Sequence, residues 1–159
     1  MNKLALTALE QRVATLEDIQ AITELRSDYC FYADTGDWQK IGGLFTDDAG
    51  VDFGPFGVYN GKTEITEFFR DRIPQSMNFT MHMVHNPKIH VTGDTATGEW
   101  YFETPATTSA NKGFWIAGKY MEEYVKVDGV WKFKNIVADW YYNTPYEMGW
   151  AKEGMIKIP

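Results

Sequence analysis

Four long β-type runs follow one another in the second half of the chain with no helix between them, and this succession limits the fold more than any other feature. They cover residues 77–89, 94–103, 114–127 and 130–142, and turn signals separate them at Gly93-Asp94, Asn111-Lys112-Gly113 and Asp128-Gly129. Runs joined by Gly, Asn and Asp predict consecutive hairpins, hence an antiparallel meander.

The first half is helical in its spacing. From about Leu6 to Tyr32 the residues Leu9, Val13, Leu16, Ile19, Ile22, Leu25 and Tyr29 recur three or four apart, which predicts one long amphipathic helix. Glu10, Arg12, Glu17, Asp18, Glu24 and Arg26 fill its other face, and residues 15–18 supply a cap if the helix is split. It should stop near Asp34-Thr35-Gly36, where Gly takes a left-handed conformation. Asp37 reads as the N-cap of a short helix over residues 38–45, residues 50–61 read as a hairpin, and residues 62–73 return to helical spacing until Pro74 ends it. Helices first and a curved antiparallel sheet afterwards predict an α+β fold, a cone in which the bent sheet wraps the long helix around a cavity. Tyr146, Met148, Trp150 and Met155 make residues 144–159 too apolar for a free tail, and predict a segment folded over a pocket mouth or a neighbouring subunit.

At 159 residues the chain predicts a single domain over 1–159, with no room for a separate cofactor domain. The 16% aromatic share suits either an apolar ligand pocket or a β-rich core and subunit interface. A net charge of −7 without a basic run repels phosphate backbones and anionic lipid, so neither nucleic acid nor a membrane is an expected partner. Cys30 is the one cysteine, which removes an internal disulfide and a thiol-rich metal site. No signal peptide and no apolar stretch of membrane length stand out, so the expected compartment is the cytoplasm.

Histidine is the first place to look for chemistry, because its ordinary pKa lies nearest neutrality. His82 and His85 have opposite parity on a strand and cannot share a metal without a bulge; His82 goes with Thr80 and Val84, His85 with Met81 and Met83. His90, beyond Pro87, reads as a surface residue. A general base needs an acceptor on its second ring nitrogen, and Asp34, at a helix end beside Tyr29, Cys30, Phe31 and Tyr32, is a suitable source. A partly buried histidine without chemistry and a solvated helix-end aspartate are the bland alternatives. Neither a Gly-x-Ser-x-Gly elbow nor a phosphate-cradling glycine motif occurs, so a reaction without cofactor or metal fits better.

Several segments resemble the SnoaL-like branch of the nuclear transport factor 2-like superfamily: residues 24–29 with Asp34 and Trp38, residues 81–87, 95–101 and 126–131. The likeness spans roughly residues 8–145 and is strongest to bile acid 7α-dehydratase and scytalone dehydratase-like lyases. It implies a cone-shaped fold, an Asp34–His82 pair, and Tyr29 as a donor to a substrate oxygen. Thr104 stands where bile acid dehydratase has a second acid, and Trp140 where it has an arginine. Trp100, Phe102, Thr104, Trp140 and Trp38 are the residues expected to meet a hydrophobic, aromatic or polycyclic substrate. The implied activity is a cofactor-independent, dehydratase-like lyase in a homo-oligomer, a trimer by preference. An isomerase, cyclase or deformylating lyase with the same dyad, or a non-catalytic binding or assembly module, are the other readings.

Overall fold

The long helix forms as its spacing dictates, but its first half stays largely exposed. In this computed structural model, which describes residues 3–155, α1 runs unbroken over Lys3–Thr35, so no cap operates at 15–18. Gly36 follows at φ 74° and turns the chain, and the Asp37 side chain accepts from the Lys40 N–H to start α2, Trp38–Gly43. That helix is shorter than expected, because Phe45 already opens β1, Phe45–Asp52.

A 33-residue helix at 1.5 Å per residue is about 50 Å long. Its buried positions begin only at Ile22 and continue through Leu25, Arg26, Tyr29, Cys30 and Ala33. Leu9, Val13 and Leu16, expected on the packed face, lie exposed instead. Arg26, expected on the solvated face, is 0% exposed.

The hairpin at 50–61 is present as β1 and β2, Val58–Asn60, joined by a 3₁₀ turn at Gly54–Phe56. The third helical stretch is composite: α3, Lys62–Glu67, passes through a π turn at Phe68–Arg72 into α4, Ile73–Ser76. Pro74 lies inside α4 rather than ending the helix. The Ile73 N–H reaches back five residues to the Phe68 carbonyl, and this wide turn accommodates a proline that gives no N–H of its own. The same widening lets two consecutive rings, Phe68 and Phe69, both face inward.

The remaining strands are β3, Met77–Thr80; β4, Met83–Thr92; β5, Thr95–Thr108; β6, Gly113–Val127; and β7, Val130–Pro145. They form a seven-stranded sheet in the order β2-β1-β7-β6-β5-β3, with β4 also on β5. The meander is antiparallel as expected, but β1 pairs parallel to β7, so the sheet is mixed. On β5 every second residue from Ala96 to Thr108 is buried. At Gly118, beside a register shift in β6, an added Cβ would stand 2.2 Å from the Asp139 carbonyl oxygen, so the strand crossing there requires glycine.

The C-terminal segment doubles back on the outer face of the sheet. Trp150 stacks on Tyr142 at 5.2 Å and meets Trp115 at 6.4 Å, while the Asn143 N–H donates to the Gly154 carbonyl. This corrects the expectation of a cover for the pocket mouth; residues 156–159 of that reading lie outside the described residues.

Asp18 ties the middle of α1 to the sheet through Lys126 at 2.5 Å and the Trp131 indole N–H at 2.9 Å. Burial alone would raise this carboxyl, but the bonds from Lys126 and Trp131 outweigh it and hold it below the ordinary value. A pKa depressed in the folded state stabilises above the unfolded value and stops doing so as pH falls through the folded one. The difference in melting temperature between the wild type and Asp18→Asn is therefore expected to be largest at neutral pH and to close below about pH 4. Thermal melts from pH 7 to pH 3 test this, and a constant gap would contradict it.

Candidate active site

The strand predicted over residues 77–89 is locally open at the position that matters. β3 ends at Thr80 opposite Ala106, and β4 starts at Met83 opposite Glu103, with one register on both sides of the gap. Pro105 lies on β5 across that gap. It accepts through its carbonyl from the Met81 N–H at 3.1 Å, but it has no N–H to give back.

The N–H of the next residue, His82, points away from β5 and is taken by Asp34. The Asp34 carboxylate sits at the last turn of α1 and accepts three times: from the His82 backbone N–H at 2.8 Å, from the Thr80 hydroxyl at 3.1 Å, and from His82 Nδ1 at 2.6 Å. Three contacts on one carboxylate fix both the backbone and the ring of His82. Nδ1 then carries the proton, and Nε2 is the acceptor nitrogen. The two side chains are 18% and 21% exposed, so the pair is sheltered yet reachable.

His82 opens on a cavity of about 70 Å³ inside the cone. Its wall is aromatic, with Phe53, Phe56, Phe68 and Phe69 from the first half of the chain facing Phe102 and Tyr120 from the sheet. An apolar cavity of about 150 Å³ takes up benzene, so a ring-sized guest requires some of these side chains to swing aside. Phe56, half-buried, is mounted on the 3₁₀ turn between Gly54 at φ 58° and Gly57 at φ 108°.

Tyr29, Thr104, Phe102 and Trp140, four of the expected site residues, line this cavity with His82. Tyr29 meets His82 edge to face at 6.4 Å. Burial pushes its phenol well above the usual range, so it stays protonated and can donate. Trp140 lies against Phe56 at 5.5 Å and Gly54.

Two expected residues lie elsewhere, which corrects their assignment to the wall. Trp100 shares the inward parity of Phe102 but sits deeper, where its indole N–H donates to the Tyr124 hydroxyl at 2.9 Å. Trp38 stacks behind Phe69 at 6.4 Å, on the outside of the wall. His85 points outward and stacks on Tyr101, so it does not meet His82. Among the described residues no three His, Cys, Asp or Glu side chains converge on a point that could hold a metal.

Sequence reasoning missed Pro105, which lies opposite Met81, the residue before His82, on the facing strand. It also missed a charged floor beneath the cavity. Arg26 meets Glu122 at 3.2 Å with both side chains fully buried, and Glu122 in turn accepts from the Tyr124 hydroxyl. The guanidinium lies 4.3 Å from the Tyr29 ring centre and 4.0 Å from that of Tyr120, between two cavity-wall phenols. Burial pushes Tyr120 up to about 12 and raises Glu122 as well, partly against the pull of Arg26. No short motif announces this pair, since i and partner are 96 residues apart by subtraction of 26 from 122.

The model of the SnoaL-like domain matches residues 14–137, most of the chain. This chain belongs to the SnoaL-like domain family. The fold of this member is the α+β, nuclear transport factor 2-like cone. It is similar to the crystal structure of hexachlorocyclohexane dehydrochlorinase LinA type 2, with 25% identity and a TM-score of 0.80 over 84% of this chain and 92% of that one. A type 3 LinA from Novosphingobium barchaimii matches at 24% identity, TM-score 0.78, over 84% and 93%. A candidate scytalone dehydratase from Novosphingobium aromaticivorans matches at 24%, TM-score 0.77, over 83% and 89%. At that identity these last two likenesses speak for the fold alone.

Proposed function

We propose that this SnoaL-like protein is a cofactor-independent lyase that carries out a β-elimination on a small hydrophobic molecule. The observation that carries this reading is the double hold of Asp34 on His82, through its backbone N–H and its Nδ1, at the wall of an aromatic cavity. A general base must keep one nitrogen free and the other tied, and such a base contributes about 10²–10⁴-fold.

In this reading His82 Nε2 takes the proton next to the leaving group. The C–H electron pair becomes the new double bond, and the leaving group departs with its own bonding pair. Asp34 stabilises the imidazolium that results, and Tyr29 donates a hydrogen bond to the departing or neighbouring oxygen or halogen. Thr104 and Trp140 supply no carboxyl and no cation, so the wall suits a neutral, apolar substrate more than an anionic conjugate. The dehydrochlorinase likeness at 25% identity supports the same class of reaction.

The test is turnover of chlorinated cyclohexanes and of cyclic β-hydroxy ketones, followed by mass spectrometry of the alkene and the released chloride or water. Wild type should form product, and His82→Ala should lose it while keeping its circular dichroism spectrum. Product formation by His82→Ala at the wild-type rate would remove the base from the mechanism.

A further inference from the structure

The first part of α1 buries none of its side chains before Ile22. Leu6, Leu9, Val13 and Leu16 stand at successive intervals of three, four and three, and all four are exposed, Leu16 by 65%. Three-four alternation over two turns is the seven-residue repeat in which Leu6 and Val13 occupy the a positions and Leu9 and Leu16 the d positions. The repeat ends where the fold begins: its next positions are Gln20 and Thr23, while Ile22 and Leu25 turn into the core. The family match starts at residue 14, so most of this arm precedes the shared domain.

We propose that the arm pairs with the arm of a second copy of this chain as a parallel, two-stranded coiled coil. Charge complementarity selects both the occupant and the direction. In this register Arg12 is at g and Glu17 at the following e, and both are exposed. In a parallel pair each Arg12 reaches the Glu17 of the partner helix, twice by symmetry. An antiparallel pair would set g against g and e against e, bringing Arg12 towards Arg12 and Glu10 towards Glu10. Val13 at a with Leu at d favours two strands over three. The usual cost of starting a short helix is absent, because the core already holds α1 from Ile22 onward.

Cross-linking reads the geometry directly on the whole protein. Val13→Cys should give a disulfide-linked pair under mild oxidation, and Gln11→Cys, on the far side of the helix at f, should not; Cys30 is buried and does not interfere. In sedimentation, Leu9→Glu with Val13→Glu should weaken the two-copy association by at least about tenfold with an unchanged melting temperature. Arg12→Glu should weaken it as well, and Arg12→Glu with Glu17→Arg should restore it. Equal cross-linking at 11 and 13, an arm-dependent mass of three copies, or sedimentation unchanged by the double glutamate substitution would each overturn the proposal.

Discussion

Replacing Arg26 by methionine is expected to lower the free energy of unfolding by about 3–5 kcal/mol, the cost of breaking a fully buried ion pair from one side. The guanidinium and the Glu122 carboxylate are both 0% exposed, and water cannot take the place of either partner without opening the floor of the cone. Methionine fills much of the space but leaves Glu122 with neutral donors only, the Tyr124 hydroxyl and the Trp100 indole. Burial already raises this carboxyl in the presence of Arg26, and its loss should raise it further. A folded pKa above the unfolded one stabilises at low pH and stops doing so as pH rises through it. The variant should therefore lose more stability at pH 8 than at pH 5 in urea titrations. Arg26→Met combined with Glu122→Leu removes both charges, and should recover most of the loss because well-packed apolar pairs often replace buried ions at no net cost. A double variant as unstable as the single one would show that the guanidinium's place between Tyr29 and Tyr120 outweighs its charge.

Asp34→Asn should reduce turnover by about 10²–10⁴-fold with a much smaller effect on folding. Asparagine keeps one carbonyl oxygen for the His82 backbone N–H or the Thr80 hydroxyl, so the strand gap remains partly closed. Its amide nitrogen then faces His82 Nδ1 and donates where the carboxylate accepted. The imidazole must shift its proton to Nε2, the nitrogen that would take the substrate proton, and the base is switched off by tautomer rather than displaced. Nitrogen NMR of the His82 ring should show the proton on Nδ1 in the wild type and on Nε2 in the variant. Full activity in Asp34→Asn would mean that the orientation of the ring does not depend on the carboxylate.

The periodicities in the sequence accounted for the strands and the long helix because each is a local repeat: alternate burial along β5, and three-four spacing from Ile22 to Ala33. Where the sequence misled, a distant partner decided. Arg26 looks like a solvated residue by its type and is drawn inward by Glu122, which lies on another element. The leucines at the start of α1 look like core by their spacing and lie exposed. The parallel pairing of β1 with β7 is a fact of topology that no turn signal encodes. Of the site, the proximity of His82 and Asp34 was inferable from a family likeness and from what a base requires. Trp100 and Trp38 were misplaced because parity tells which face of a strand a residue occupies and not how deep in the cone it lies.

Asp34 has a consequence for how descent in such a fold should be interpreted. Beside the gap at Met81 and Pro105 it pins the His82 backbone N–H at the sheet edge while also steering the imidazole. One side chain thus serves two masters, the architecture and the reaction. A descendant that abandoned the reaction would still be under pressure to keep its aspartate, as a rivet in the sheet. The histidine ring serves only one, and its survival or decay in a lineage is the better record of whether chemistry continued there.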